Sequence, residues 1–183
     1  MRDPLSILCV AEKAAESIIG SATVCCITID GDTLHAANLG DSTFIIIRQG
    51  KLVFKSDGKK SNILVSLLTP AELQHEFNFP YQIGTHGDGL DKTEEIEFQI
   101  QRGDMILVGS DGLFDNLFLD EILKMSQEDT IYHSRASYIA SAAFRASNLA
   151  EKMVPHGERA AEAGLYHSGG KPDDITVIIA TIS

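Results

Sequence analysis

Apolar side chains recur near the start of the chain at Leu5, Ile7, Leu8, Val10, Ala14, Ile18 and Ile19, with Pro4 before them and Gly20 behind. That spacing, with Pro in the first turn and Gly after the last, predicts an amphipathic helix over residues 4–19. The period then shortens. Alternating or wholly apolar runs predict strands at 23–29, 33–38, 43–48 and 51–55, separated by Asp30-Gly31-Asp32, Gly40-Asp41-Ser42 and Gln49-Gly50. Short β runs joined by such turns imply antiparallel hairpins. Residues 94–100 alternate again, Arg102-Gly103-Asp104 turns the chain, and 105–108 is a short apolar strand running into Ser110-Asp111-Gly112.

The later part changes character. Residues 113–124 read as helical and 134–153 as a longer, Ala-rich helix. Gly169-Gly170-Lys171-Pro172 makes a loop, and 175–182 reads as a final buried strand. Strands early and helices late predict the α+β class, with antiparallel sheets and helices packed outside them. Residues 57–71 break the order: Gly58, Lys59 and Lys60 give way to an apolar stretch and then Thr69-Pro70, an atypical insert.

The 183 residues, 44% of them hydrophobic, suffice for one domain with its own core. Lys and Arg number 15 against 26 Asp and Glu, a formal net charge of -11. Such a chain is repelled by phosphate backbones and anionic lipid, which argues against nucleic acid and membrane as partners. The surplus carboxylates serve solubility, or they gather hard cations. Cys9, Cys25 and Cys26 give no disulfide framework, and Cys25 and Cys26, in an apolar run, fit core thiols in a reducing, intracellular compartment. No apolar stretch reaches the roughly 20 residues of a membrane span, and residues 1–20 have neither signal-peptide nor transit-peptide character.

Three segments put acids where an apolar strand meets a Gly-containing or Pro-containing loop: Asn38-Leu39-Gly40-Asp41-Ser42, Gly109-Ser110-Asp111-Gly112-Leu113-Phe114-Asp115-Asn116, and Lys171-Pro172-Asp173-Asp174-Ile175-Thr176. Acids fixed at rigid strand ends can converge, and Mg²⁺ or Mn²⁺ takes oxygen ligands of this kind. Taken singly, each Asp also fits a turn position or a helix cap.

In this order, and with these flanks, the three segments resemble successive motifs of the metal-dependent Ser/Thr protein phosphatases of the type 2C class. Gly20-Ser21-Ala22-Thr23 resembles the motif that precedes them. Gln74-His75-Glu76-Phe77-Asn78 with Pro80-Tyr81-Gln82 resembles a segment of the subgroup that includes the mitochondrial T-cell-activation phosphatase homologue. The resemblance implies a β-sandwich flanked by helices, two Mg²⁺ or Mn²⁺ ions, and a phosphoprotein substrate whose phosphoserine or phosphothreonine is hydrolysed by water activated at the metals. It makes Asp111 and Asp173 the stronger metal ligands and Asp41, Asp115 and Gly112 the weaker ones. Asp174, Ser110 and Asn116 are supporting residues. The subgroup also implies a mitochondrion or plastid as the compartment.

The chain departs from the family pattern in two ways. Nothing before Gly20 matches the Asp-Gly-x-Gly-Gly segment whose Asp bridges both metals, or the early phosphate-gripping Arg, so the domain is expected to be incomplete at its N-terminus. His86-Gly87-Asp88-Gly89 is only superficially similar and is read as a loop. The insert at 57–71 is the second departure. A competing reading is a pseudophosphatase that binds a phosphoprotein or partner without hydrolysing it.

Overall fold

The structure, a computed structural model, describes residues 3–56, 80–85, 87–128 and 134–183. The insert expected at 57–71 and the segment Gln74–Asn78 therefore lie outside the described residues, as do His75, His86 and His133. The chain divides into two compact units: residues 1–42 with 56–102, and residues 43–55 with 103–183.

The first unit opens with α1 (Pro4–Ala15), capped by Asp3, whose side chain accepts from the Ser6 amide at 2.9 Å. This satisfies one of the amides a helix leaves bare at its start. The helix ends short of Gly20. Ile18 and Ile19 are 64% and 87% exposed, so they lend no buried face that would hold another turn. Strands β1 (Ser21–Ala22), β2 (Val24–Asp30) and β3 (Thr33–Leu39) follow. β2 and β3 form the expected hairpin, closing at Asp30 opposite Thr33 with Gly31 at φ +61°. β3 lies between β2 and β7 (Glu94–Gln99), with all three antiparallel, and β1 pairs separately with β6 (Ile83–Gly84). Leu34, Ala36, Ala37 and Leu39 of the central strand are buried. Asp88 lies in a loop, its carboxylate accepting from the Gln82 amide at 3.0 Å.

The second unit is built on a four-stranded antiparallel sheet, in the order β5 (Lys51–Lys55), β4 (Thr43–Arg48), β8 (Met105–Gly109), β9 (Val177–Thr181). At the β4–β5 turn both Gln49 and Gly50 have positive φ, 51° and 75°, the backbone that suits the twist of a two-residue hairpin. β4 and β8 are central, and Phe44, Ile45, Ile46 and Leu107 are fully buried. Asp104, also fully buried, accepts two hydrogen bonds from Arg48, each 2.8 Å, tying the end of β4 to the start of β8. Among the described residues the expected final buried strand is instead an edge strand, with Ile178 57% exposed. An apolar run signals pairing in a sheet but not the position of the strand within it.

The helix expected over 113–124 is broken into α2 (Asp111–Phe114) and α3 (Leu119–Gln127). Glu121 restarts the second helix by accepting the Phe118 amide at 2.9 Å. The helix expected over 134–153 is α4 (Arg135–Ser147), and a further helix, α5 (Pro155–Glu162), begins with Pro at its first position. α4 packs on β9, α2 and α3, and Ile45, Leu107, Leu113, Leu117, Ile122 and Ile139 form the core beneath. Helices with antiparallel sheets give the α+β class that the pattern predicted. No described helix is long and apolar enough to cross a membrane.

Candidate metal centre

Because β8 and β9 are antiparallel neighbours with Gly109 opposite Val177, the chain leaving β8 and the chain entering β9 meet at one end of the sheet. Ser110 joins them. Its amide donates to the Thr176 carbonyl at 3.2 Å and its Oγ donates to the Asp174 carbonyl at 3.0 Å, while Oγ also accepts from the Thr176 amide at 3.0 Å. Gly112 lies so close that a Cβ there would stand 2.4 Å from the Asp174 carbonyl oxygen. Asn116, fully buried, holds the other end of the loop. Its Nδ2 donates to the Gly112 and Lys171 carbonyls at 2.9 and 2.8 Å, and its Oδ1 accepts from the Lys171 amide at 2.9 Å.

This double attachment gathers three carboxylates around one ammonium. Lys171 Nζ stands 2.9 Å from Asp111 Oδ2, 2.7 Å from Asp115 Oδ2 and 3.2 Å from Asp173 Oδ2. Asp111 and Asp173 are partly exposed, whereas the Asp115 side chain is 5% exposed. Arg159 of α5 donates to the other Asp115 oxygen, and His156 Nδ1 lies 3.6 Å from Oδ2. Burial pushes the Asp115 carboxyl upward. The nearby His156 ring and the hydrogen bond from Lys171, with the charges of Lys171 and Arg159, overcome this and hold it well below the usual carboxylate range. Burial likewise works against the Lys171 charge, but the Asp115 and Asp111 carboxylates prevail and raise its pKa.

The donor set fits a hard divalent cation: carboxylate oxygens on short segments anchored to strand ends, converging on a point that already accepts positive charge. An ammonium holds its acceptors at 2.7–3.2 Å, wider than the roughly 2.0–2.1 Å of a Mg²⁺ ligand shell. Consistent with this wider spacing, no three His, Cys, Asp or Glu side chains among the described residues stand close enough to ligate a metal as the chain lies here.

Asp111, Asp115 and Asp173, singled out from the sequence, are thus brought together, with Gly112, Ser110 and Asn116 beneath them. Asp174 contributes its carbonyl to Ser110. Asp41 belongs to the first unit, beyond the end of β3, where Gly40 has φ +101° and Thr23 Oγ1 lies 2.9 Å from Ser42 Oγ. Sequence reasoning missed Lys171 and Arg159. The first was visible as the one cation beside Pro-Asp-Asp; nothing in the pattern tied Arg159 to an acid 44 positions earlier. Cys25 and Cys26 stay out of the chemistry, since burial pushes the Cys25 thiol up to about 12 and raises Cys26 as well.

Comparison with known proteins bears on this geometry. Residues 9–183 match the family described as Stage II sporulation protein E (SpoIIE). The protein phosphatase PTC7 homolog of Xenopus laevis is 35% identical over 184 residues, covering 91% of this chain and 57% of its own length. The chain therefore spans a little over half of that curated relative. The X-ray structure of the photosystem II phosphatase PBCP superposes with a TM-score of 0.84 at 29% identity, over 99% of this chain and 71% of that one. The catalytic domain of the serine threonine protein phosphatase PstP, in complex with 2 manganese ions, shares the fold with a TM-score of 0.52 at 21% identity, over 98% and 67%.

Proposed function

Because the chain belongs to the type 2C class of metal-dependent Ser/Thr protein phosphatases, we propose that it serves the hydrolysis of phosphoserine and phosphothreonine in proteins, with Asp111 and Asp173 as metal ligands. The observation that carries this reading is the convergence of carboxylates on one cationic point at the β8–β9 end of the sheet. Mg²⁺ or Mn²⁺ bound there would supply Lewis acidity that activates water and offsets charge on the phosphoryl oxygens. Manganese in the fold neighbour PstP supports such an ion.

The chain's own residues supply the positioning. Ser110 and Asn116 fix the two ends of the loop bearing Asp173, and Gly112 lets that loop lie directly against α2. Asp115 has both oxygens engaged, by Arg159 and by Lys171, so its first role is to tie α5 to this loop. Ligation by Asp115 is its second and weaker role. The substrate is a phosphoprotein, and the proposed compartment, a mitochondrion or plastid, rests on the subgroup segment of the sequence alone. No observation favours a binding module without hydrolysis.

The test is Mn²⁺-dependent phosphate release from a phosphothreonine peptide, with native chain and with Asp111→Asn and Asp173→Asn. Asn keeps one neutral oxygen donor but loses the charge, so each variant should fall tenfold or more, in line with the sensitivity of metal sites to altered ligand shells. Release that ignores both substitutions, or that persists in EDTA, would remove the proposed ligands.

A further inference from the structure

Lys171 has no part in the reaction just described, yet it holds the central position of the site. Its side chain is 16% exposed and its Nζ bridges all three carboxylates. Two ions cannot share that point, and an ammonium cannot ligate a metal while protonated. We propose that Lys171 is a resident counter-cation which a divalent ion must displace, so that this residue sets the metal affinity of the site. The proposal rests on the reading of Asp111 and Asp173 as ligands.

Three carboxylates this close repel one another, and in a partly buried setting each unit of charge within about 4 Å counts for several times its value in bulk water. A bound ammonium offsets that repulsion and keeps Asp111 and Asp173 in place when no divalent ion is bound. Arg159 is already committed to Asp115 and cannot do the same for the two more exposed acids.

Exchange requires only the side chain to move. Asn116 grips both the amide and the carbonyl of Lys171, so the backbone stays where it is and the four-carbon stem swings the ammonium toward solvent. Displacement costs the ammonium its three carboxylate contacts, and that cost subtracts from the affinity for the metal. As the ammonium leaves, the carboxylates can close from hydrogen-bonding to ligating distance.

Titration calorimetry with MnCl₂ on native chain and on Lys171→Met tests this. Met keeps the length and apolar character of the stem without the charge, and the expected result is a Mn²⁺ affinity at least tenfold higher. Adding Asp173→Asn to Lys171→Met should remove that gain. Affinity equal to or below native, still lost on Asp173→Asn, would overturn the role of Lys171 and leave the ligands standing. Mn²⁺ binding indifferent to Asp111→Asn and Asp173→Asn in either background would overturn the ligand reading and this inference with it.

A second measurement uses only native chain, and so survives a variant that fails to fold. Labelling by an amine-reactive reagent, quantified at Lys171 by peptide mass spectrometry, should rise severalfold on adding saturating Mn²⁺, because the displaced ammonium enters solvent. Unchanged or reduced labelling would contradict displacement.

Discussion

Replacing Asn116 with Ala is expected to lower stability by about 3–9 kcal/mol, because three backbone groups lose their partner together and each buried group left unpaired costs about 1–3 kcal/mol. The Gly112 carbonyl, the Lys171 carbonyl and the Lys171 amide all bond to this one fully buried side chain. Truncation also leaves a void beneath the loop. For a domain whose whole stability is of the order of 5–15 kcal/mol, such a loss is a large fraction. The chain has no Trp, so urea unfolding is best followed by far-UV circular dichroism. A midpoint shifted well below native, with Mn²⁺ response lost in parallel, is the expected result. An unchanged midpoint would mean that the loop is held by something other than Asn116.

Gly112→Ala is expected to cost on the order of 100-fold in phosphate release while leaving the chain folded, since a displacement of about 1 Å at a catalytic site can cost that much. The new Cβ would lie 2.4 Å from the Asp174 carbonyl oxygen and 3.1 Å from Ile175 Cγ1. A backbone atom at the first of these distances cannot swing aside as a side chain would. The loop must lift from α2, carrying Asp173 with it and stretching the Ser110–Asp174 hydrogen bond. The stability loss should be smaller, about 1–3 kcal/mol, the usual range for overpacking. Activity close to native would show that the loop does not need this contact to place Asp173.

Both substitutions act on a piece of geometry that the sequence exposes only in part. The hairpins were legible because Gly31 and the Gln49-Gly50 pair stand between apolar runs of alternating or β-branched residues, a local pattern with a local cause. The acids were legible because they stand at the ends of those runs. The break between α2 and α3 was not, since Leu117 and Phe118 continue the apolar character across it and only Glu121 marks the new start. Pro155 did mark the start of α5, but residues 155–162 contain few apolar side chains to give a period. Edge and centre could not be separated either: β9 reads as apolar as β8, and only the order of pairing tells them apart.

The candidate site shows the same division. Asp111 and Asp173 are 62 positions apart, and their convergence follows from the register Gly109 opposite Val177, which no spacing along the chain encodes. Lys171 and Arg159 are ordinary surface-type residues in the sequence. Their contact with Asp115 exists only because α5 and the β9 approach fold onto α2, where burial makes a paired cation necessary.

The most direct test is crystallographic: crystals grown with Mn²⁺, with anomalous scattering recorded to locate the metal. A peak bonded to carboxylate oxygens of Asp111 and Asp173, with the Lys171 ammonium turned away, is the predicted result. A peak bonded to neither acid, or Lys171 still bridging the three carboxylates under saturating Mn²⁺, would contradict it.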